Sequence, residues 1–340
     1  MTPKVRFALG LVAAMLAVTV ALGLYFISNP IGISLWIARS SLERMDLEKN
    51  VLTLERGELV YYNGGSGRQT LVLLHGMGHQ ASSWVNVVPG LLTRYSLIVV
   101  DLPGHGESDP KKGRLTLQDS LAGVRAVLDE ASPDVPVVLV GNSMGAWISM
   151  LYALESPERV ERLVLLNGGG LSGQLEDEEG PLTLVPETRE QAARLIRALT
   201  PEGTPIPAGF VLDDMIQKIN EGPAPRQIAG TDITLLLDYR LAEIRTGADI
   251  LWGTDDRLLP LAYGRRLHDG LPASRFHELE GCGHIPHQQC PGLFLETLFE
   301  ALAEDPPQAP VEATPTEDVP DVEESAENNP GEPDATTSNG

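Results

Sequence analysis

The stretch Val137–Val138–Leu139–Val140–Gly141–Asn142–Ser143–Met144–Gly145 constrains the chain most, because there an apolar strand runs into Gly-x-Ser-x-Gly and a helix-forming segment begins at Ala146. A buried strand ending in so sharp a turn needs a strained turning residue with small neighbours, and Gly141 and Gly145 supply the room. The turn lifts the Ser143 hydroxyl above the carboxyl edge of a parallel sheet and aims the Met144 amide where an oxyanion would develop. Ser143 is therefore the candidate nucleophile. The five-residue pattern alone says little; the strand before it and the helix after it give it content.

The neighbouring chain has the rhythm such a sheet requires. Thr70–Leu74, Leu97–Val100, Leu163–Leu166, Ala248–Leu251 and Ser274–Leu279 read as strands, and Val51–Glu55 with Glu58–Tyr62 reads as a hairpin around Arg56–Gly57. Thr116–Ala131 reads as a helix with Leu117, Leu121, Val124 and Leu128 on one face. Continuous Val, Leu and Ile runs mean a mostly parallel sheet covered by helices on both faces, with ligands bound beyond the strands' carboxyl ends. Thr70–Leu74 ends in His75–Gly76–Met77–Gly78–His79, and this glycine-rich turn offers the Met77 amide as a second oxyanion donor. His75 is expected to pack within the loop. Asp101–Leu102–Pro103–Gly104–His105–Gly106–Glu107–Ser108 is expected to be a tight structural turn.

A formal charge of −22 without a basic cluster argues against nucleic acid as a partner. Half of that charge lies in residues 304–340, where eleven acids stand without lysine or arginine, and this tail is expected to be disordered. Two cysteines, Cys282 and Cys290, exclude a disulfide scaffold and a four-cysteine metal site, leaving either free thiols or one short disulfide loop around His284. Near the amino terminus Lys4 and Arg6 precede Phe7–Ile27, an uncharged apolar run of 21 residues. As a helix it would span about 30 Å, so an uncleaved membrane anchor is expected in preference to a signal sequence, with everything after it outside the cytoplasm. Ile33, Trp36 and Ile37 with Arg39 and Arg44 read as a short amphipathic helix continuing from the anchor, or as a plain linker.

His75–Gly76–Met77–Gly78, the Asp101–Ser108 turn, Gly141–Gly145, Trp252–Gly253–Thr254–Asp255–Asp256 and Gly281–Cys282–Gly283–His284 stand in the order found in the α/β-hydrolase superfamily, and the chain resembles its bacterial esterase and lipase branch. The resemblance implies a cofactor-free and metal-free enzyme with nucleophile, acid and histidine in that order. The family's Trp-Gly-x-x-Asp spacing, with Leu258, Leu259 and Pro260 following, selects Asp256 as the acid; Asp255 is the runner-up, or else caps the helix that follows. His284 becomes the general base. Gln289 stands where the family often has glutamate. Residues 168–247 become a helical lid, with helices at Glu187–Leu199 and Phe210–Asn220 and with Phe210 and Met215 either lining the acyl pocket or packing the lid onto the core.

The expected organisation is thus an anchor or signal sequence over 1–30, a linker over 31–50, a hydrolase domain over 51–303 containing the lid, and the acidic tail. The expected activity is cleavage of a small to medium apolar carboxylic ester, of lipid origin if the amino terminus holds the domain at a bilayer. A carbon–carbon bond hydrolase of the ring-cleavage-product type is the alternative. It shares Gly-Asn-Ser-Met-Gly but typically has tryptophan after the histidine, where this chain has Ile285. A non-catalytic binding protein is the third reading, and the intact set of catalytic residue types stands against it.

Overall fold

In the computed structural model, residues 2–173 and 175–309 are described. Eight strands form one sheet: β1 (Leu47–Leu54), β2 (Gly57–Gly64), β3 (Thr70–Leu74), β4 (Ser96–Val100), β5 (Val137–Asn142), β6 (Val160–Leu166), β7 (Ala248–Gly253) and β8 (Ser274–Leu279). Their spatial order is β1-β2-β4-β3-β5-β6-β7-β8. β1 and β2 form an antiparallel hairpin, β2 runs antiparallel to β4, and all remaining pairs are parallel.

Side chains alternate across this sheet, so each central strand feeds two cores. Leu139, Leu165 and Ile250 join Leu121, Val124 and Ile148 on one face, while Val138, Val140 and Val164 join Trp84, Phe294 and Leu298 on the other. Burial on both faces explains why β5 shows no polar alternation before Asn142. Thr116 proves to be the cap of the helix Leu117–Ala131: its hydroxyl accepts from the Asp119 amide at 3.0 Å and the Asp119 carboxylate accepts from the Thr116 amide at 2.9 Å.

Between β6 and β7 the insertion carries a short ribbon, Glu176–Asp177 with Gly180–Pro181, and the helices Arg189–Leu199, Gly209–Glu221 and Pro223–Gly230. At the end of the last helix, Pro291–Ala303, Arg162 donates to the Ala301 and Glu304 carbonyls, each at 2.5 Å. The tail expected to be disordered lies, from residue 310 onward, outside the described residues.

The amino terminus overturns the expected single-pass anchor. Among the described residues no single helix is long and apolar enough to cross a membrane. The chain breaks at Asn29, whose φ/ψ of −145°/48° is not helical, and Pro30, lacking an N–H, opens a new helix rather than continuing the old one. The segments Ala14–Ser28 and Pro30–Leu42 meet at 91°. The anchor and the extracytoplasmic placement built on it are therefore withdrawn.

Of the two readings of this stretch the helix is the one present, as Pro30–Leu42, and it is tied to the rest of the domain. Its Ile31 amide donates to Asp214 Oδ2 at 2.7 Å, Arg39 Nη2 donates to Gln80 Oε1 at 2.7 Å, and Leu42 is fully buried. The sheet then begins at Leu47, ahead of the expected boundary.

Candidate active site

Ser143 sits between β5 and the helix Met144–Glu155 with φ 54° and ψ −114°, a conformation unfavourable for an L-residue that is held by its surroundings. Its amide donates to the Leu166 carbonyl at 3.0 Å, and its carbonyl accepts from Ala146, Trp147 and Gly169 at 3.1, 3.2 and 3.0 Å. The flanking glycines are obligatory on steric grounds. A Cβ on Gly141 would fall 2.4 Å from the Gly145 backbone, and one on Gly145 would fall 2.2 Å from the Leu74 carbonyl of β3.

Past the end of β7, Asp256 is 2% exposed and surrounded by four donors. Oδ1 accepts from the Leu258 and Leu259 amides, each at 2.9 Å; Oδ2 accepts from Asn167 Nδ2 at 2.6 Å and meets His284 Nδ1 at 2.7 Å. Four donors are what a carboxylate complements, and they fix the His284 proton on Nδ1, leaving Nε2 with its lone pair. Asp255 accepts instead from the Glu202 amide at 3.0 Å, tying down the insertion rather than capping the helix that follows. Among the described residues neither Ser143 Oγ nor His284 Nε2 makes a hydrogen bond, consistent with a contact that tightens when substrate binds.

Three asparagine and glutamine side chains that the sequence reading left without a role hold this arrangement. Asn142 Nδ2 donates to the His284 and Leu166 carbonyls, both at 3.1 Å, locking the histidine loop to the serine turn. Asn167, at φ 45°, accepts from the Gly253 amide at 3.3 Å while donating to Asp256. Gln289 accepts from the Gly283 amide at 3.0 Å and donates to the Leu199 carbonyl at 2.8 Å. Cys282 and Cys290 are joined in a disulfide across the same loop, so the free-thiol alternative does not hold.

The insertion reaches the site through the end of the helix Arg189–Leu199, whose last carbonyls have no partner within the helix. The Leu199 carbonyl accepts from the His284 amide at 2.9 Å, and the Ala198 carbonyl accepts from the Arg257 and Leu258 amides at 3.1 and 3.0 Å. One helix end thus braces both the acid loop and the histidine loop.

Met77 and Met144 both line a cavity of about 210 Å³ that has Ser143 in its wall, and neither amide donates to a protein acceptor outside regular secondary structure. Trp147, Leu171, Leu258 and Tyr263 complete much of the wall, and none of its lining side chains carries charge. Phe210 and Met215 do not line it. Phe210 is 44% exposed, and the helix Gly209–Glu221 buries Leu212 and Asp214, the latter against the helix Pro30–Leu42. An amphipathic pattern shows that a face is covered but not by what.

The remaining histidines serve the loops. His75 Nδ1 meets the Gly76 carbonyl at 2.8 Å and its Nε2 accepts from the Leu102 amide at 3.1 Å, so it pins the Met77 turn to the Asp101 turn. Burial holds it well below the usual imidazole range. Desolvation pushes His105 down to about 4, and it pushes His79, with the nearby His284 adding to the effect, down to about 4 as well. Asp101 accepts from the Ala81 and Glu107 amides at 2.6 and 2.8 Å, confirming a structural turn; burial raises its carboxyl against those bonds. His287 stacks on Trp84 with ring centroids 4.1 Å apart, and burial holds it neutral.

An α/β sheet with a serine turn, a buried carboxylate–imidazole pair and two free amides at one rim defines a hydrolase of the α/β class. Residues 71–297 match the model of the Alpha/beta hydrolase family, and the chain belongs to that family. It is 35% identical over 285 residues to a 2-hydroxy-6-oxononadienedioate/2-hydroxy-6-oxononatrienedioate hydrolase of Paraburkholderia phymatum, covering 75% of this chain and 96% of that one. Among solved structures it is similar to a membrane phospholipase A described as a bacterial virulence factor, at 26% identity and TM-score 0.68, covering 88% of this chain and 98% of that one. A carboxylesterase of Bacillus subtilis shares the fold at 18% identity and TM-score 0.65, covering 80% and 98%.

Proposed function

We propose that the chain is a serine hydrolase of carboxylic esters with apolar acyl groups, acting through an acyl-enzyme. The observation that carries this reading is the uncharged, largely apolar cavity against Ser143. Ser143 Oγ attacks the ester carbonyl as His284 Nε2 takes its proton, and Asp256 holds the imidazolium that forms. The Met77 and Met144 amides donate to the developing oxyanion, each such donor contributing on the order of a hundredfold or more. His284 returns the proton to the departing alcohol, and water, activated by the same nitrogen, releases the acid. The phospholipase relative supports an ester of lipid kind.

The curated relatives support the second reading, a carbon–carbon bond hydrolase, more than the first. Their named substrates are dioates, which carry two carboxylates. Among the described residues no basic side chain lines the cavity to receive such a charge, and this favours the ester.

The test compares p-nitrophenyl esters of graded chain length with a 2-hydroxy-6-oxodienedioate, on wild type and Ser143→Ala, beside a fluorophosphonate label. Ester turnover and labelling that vanish in the variant are expected. Labelling with turnover of the dienedioate alone would move the assignment to the second reading, and an unlabelled wild type would move it to the non-catalytic one.

A further inference from the structure

The turn that carries the Met77 amide is held from a helix distant in the chain. Its corner is Met77–Gly78: the His79 amide donates to the Gly76 carbonyl at 3.1 Å, and Gly78 takes the left-handed φ of 76°. On the strand side the turn is fixed by His75. On the leaving side stands Gln80, whose buried amide is spent at both ends: Oε1 accepts from Arg39 Nη2 and Nε2 donates to Ser82 Oγ, each at 2.7 Å. Arg39 also reaches the Asp101 turn, its Nη1 lying 3.7 Å from Glu107 Oε1, while Glu107 Oε2 meets Lys49 Nζ at 2.7 Å and the Tyr62 hydroxyl at 3.0 Å. The helix that supplies Arg39, Pro30–Leu42, is tied to Asp214 at its first turn, and its last residue, Leu42, is buried in the core that holds Ala81 and Trp84.

A backbone donor stabilises an oxyanion only if it is aimed before the reaction begins, and a displacement of about 1 Å can cost on the order of a hundredfold. We propose that Arg39 is a positioning residue for the oxyanion site: it fixes Gln80 and thereby the Met77 amide three residues earlier, without touching substrate. The planar guanidinium suits this task, since one arm bonds Gln80 while the other faces Glu107. Burial of Leu42 already joins the helix to Ala81 and Trp84, and the Arg39 side chain is 26% exposed, so its bond to Gln80 adds little to stability. What it adds is orientation. The inference rests on the serine-hydrolase reading above.

The test measures kcat and KM on p-nitrophenyl butyrate, the fluorophosphonate labelling rate and the thermal midpoint for full-length wild type, Arg39→Met, Arg39→Lys, Gln80→Met, the Arg39→Met/Gln80→Met double variant and Lys49→Met. Arg39→Met is expected to lose about tenfold in kcat and in labelling rate, with KM within twofold of wild type. Arg39→Lys, which keeps a donor and the charge, should recover part of that loss. Gln80→Met should lose as much as Arg39→Met, and the double variant no more than either, because the two side chains act as one unit. Lys49→Met strips a charge from Glu107 without touching Gln80 and should stay within twofold of wild type in kcat. An Arg39→Met kcat within twofold of wild type, a loss confined to KM, multiplied losses in the double variant, or an equal loss in Lys49→Met would overturn the positioning role and leave the serine-hydrolase reading standing. Should Arg39→Met fail to fold, an unchanged kcat in Gln80→Met would overturn it. A wild type that fluorophosphonate does not label would overturn the serine-hydrolase reading and this inference with it.

Discussion

Replacing Asp256 by asparagine tests the assigned proton relay with a change of one atom. The four donors around the carboxylate give the amide no good orientation. With its oxygen toward His284, its NH2 faces the Leu258 and Leu259 amides, and each buried N–H so orphaned costs about 1–3 kcal/mol. With the NH2 toward His284, Nδ1 must accept, the ring proton moves to Nε2, and the imidazole can no longer take a proton from Ser143. A wrong tautomer costs about 10⁴-fold in kcat where this relay operates, equivalent to roughly 5 kcal/mol of barrier.

The geometry also offers a rescue. Asn167 Nδ2 lies 2.6 Å from Asp256 Oδ2, one hydrogen bond further from the imidazole, and the left-handed φ of residue 167 is one that aspartate tolerates. Combining Asn167→Asp with Asp256→Asn should therefore recover at least tenfold over the single variant. Steady-state kcat on p-nitrophenyl butyrate and the rate of fluorophosphonate labelling are the assays, with thermal midpoints to confirm folding. A single-variant loss smaller than tenfold would refute the assignment of Asp256, and a swap no faster than the single variant would refute the claim that a carboxylate at position 167 can stand in for it.

Gly145→Ala, which forces a Cβ to within 2.2 Å of the Leu74 carbonyl, should destabilise by about 3 kcal/mol or more, measured as the urea midpoint. Asp249 is fully buried between Arg275, His277 and Arg162 at the opposite end of the strands from Ser143, so Asp249→Leu should cost about 3–5 kcal/mol while leaving the KM of the folded fraction unchanged. Acid should unfold the protein through its neutral histidines. His105 titrates near 4 when folded against 6.5 when free, so the unfolded chain takes its proton first, and about 3 kcal/mol of stability disappears as pH falls from 6.5 to 4. His105→Gln should flatten that slope in urea titrations run across the range.

The strand ends were legible because a doubly covered parallel sheet writes itself as unbroken apolar runs: Thr70–Leu74 and Ser274–Leu279 coincide with β3 and β8, and Ala248–Leu251 lies within β7. Asp256 could be preferred to its neighbour only through the family's Trp-Gly-x-x-Asp spacing; in the fold its Oδ1 meets the Leu258 and Leu259 amides. Asn142, Asn167 and Gln289 act by accepting and donating across loops far apart in the chain, and no periodicity marks that. For the same reason the sequence could not choose between a pocket role and a packing role for Phe210 and Met215: the covered face of their helix meets Pro30–Leu42, a partner nearly two hundred residues away.

Because the carboxyl end of Arg189–Leu199 receives amides from both reactive loops, the insertion is not a detachable cap on an independent machine. Anyone wishing to graft a different selectivity onto this scaffold should cut after Thr200 and before Gly247, keeping the preceding helix as native hardware. Exchanges that reach further back would retune the acid and the base together, and a change in chemistry would then be mistaken for a change in taste.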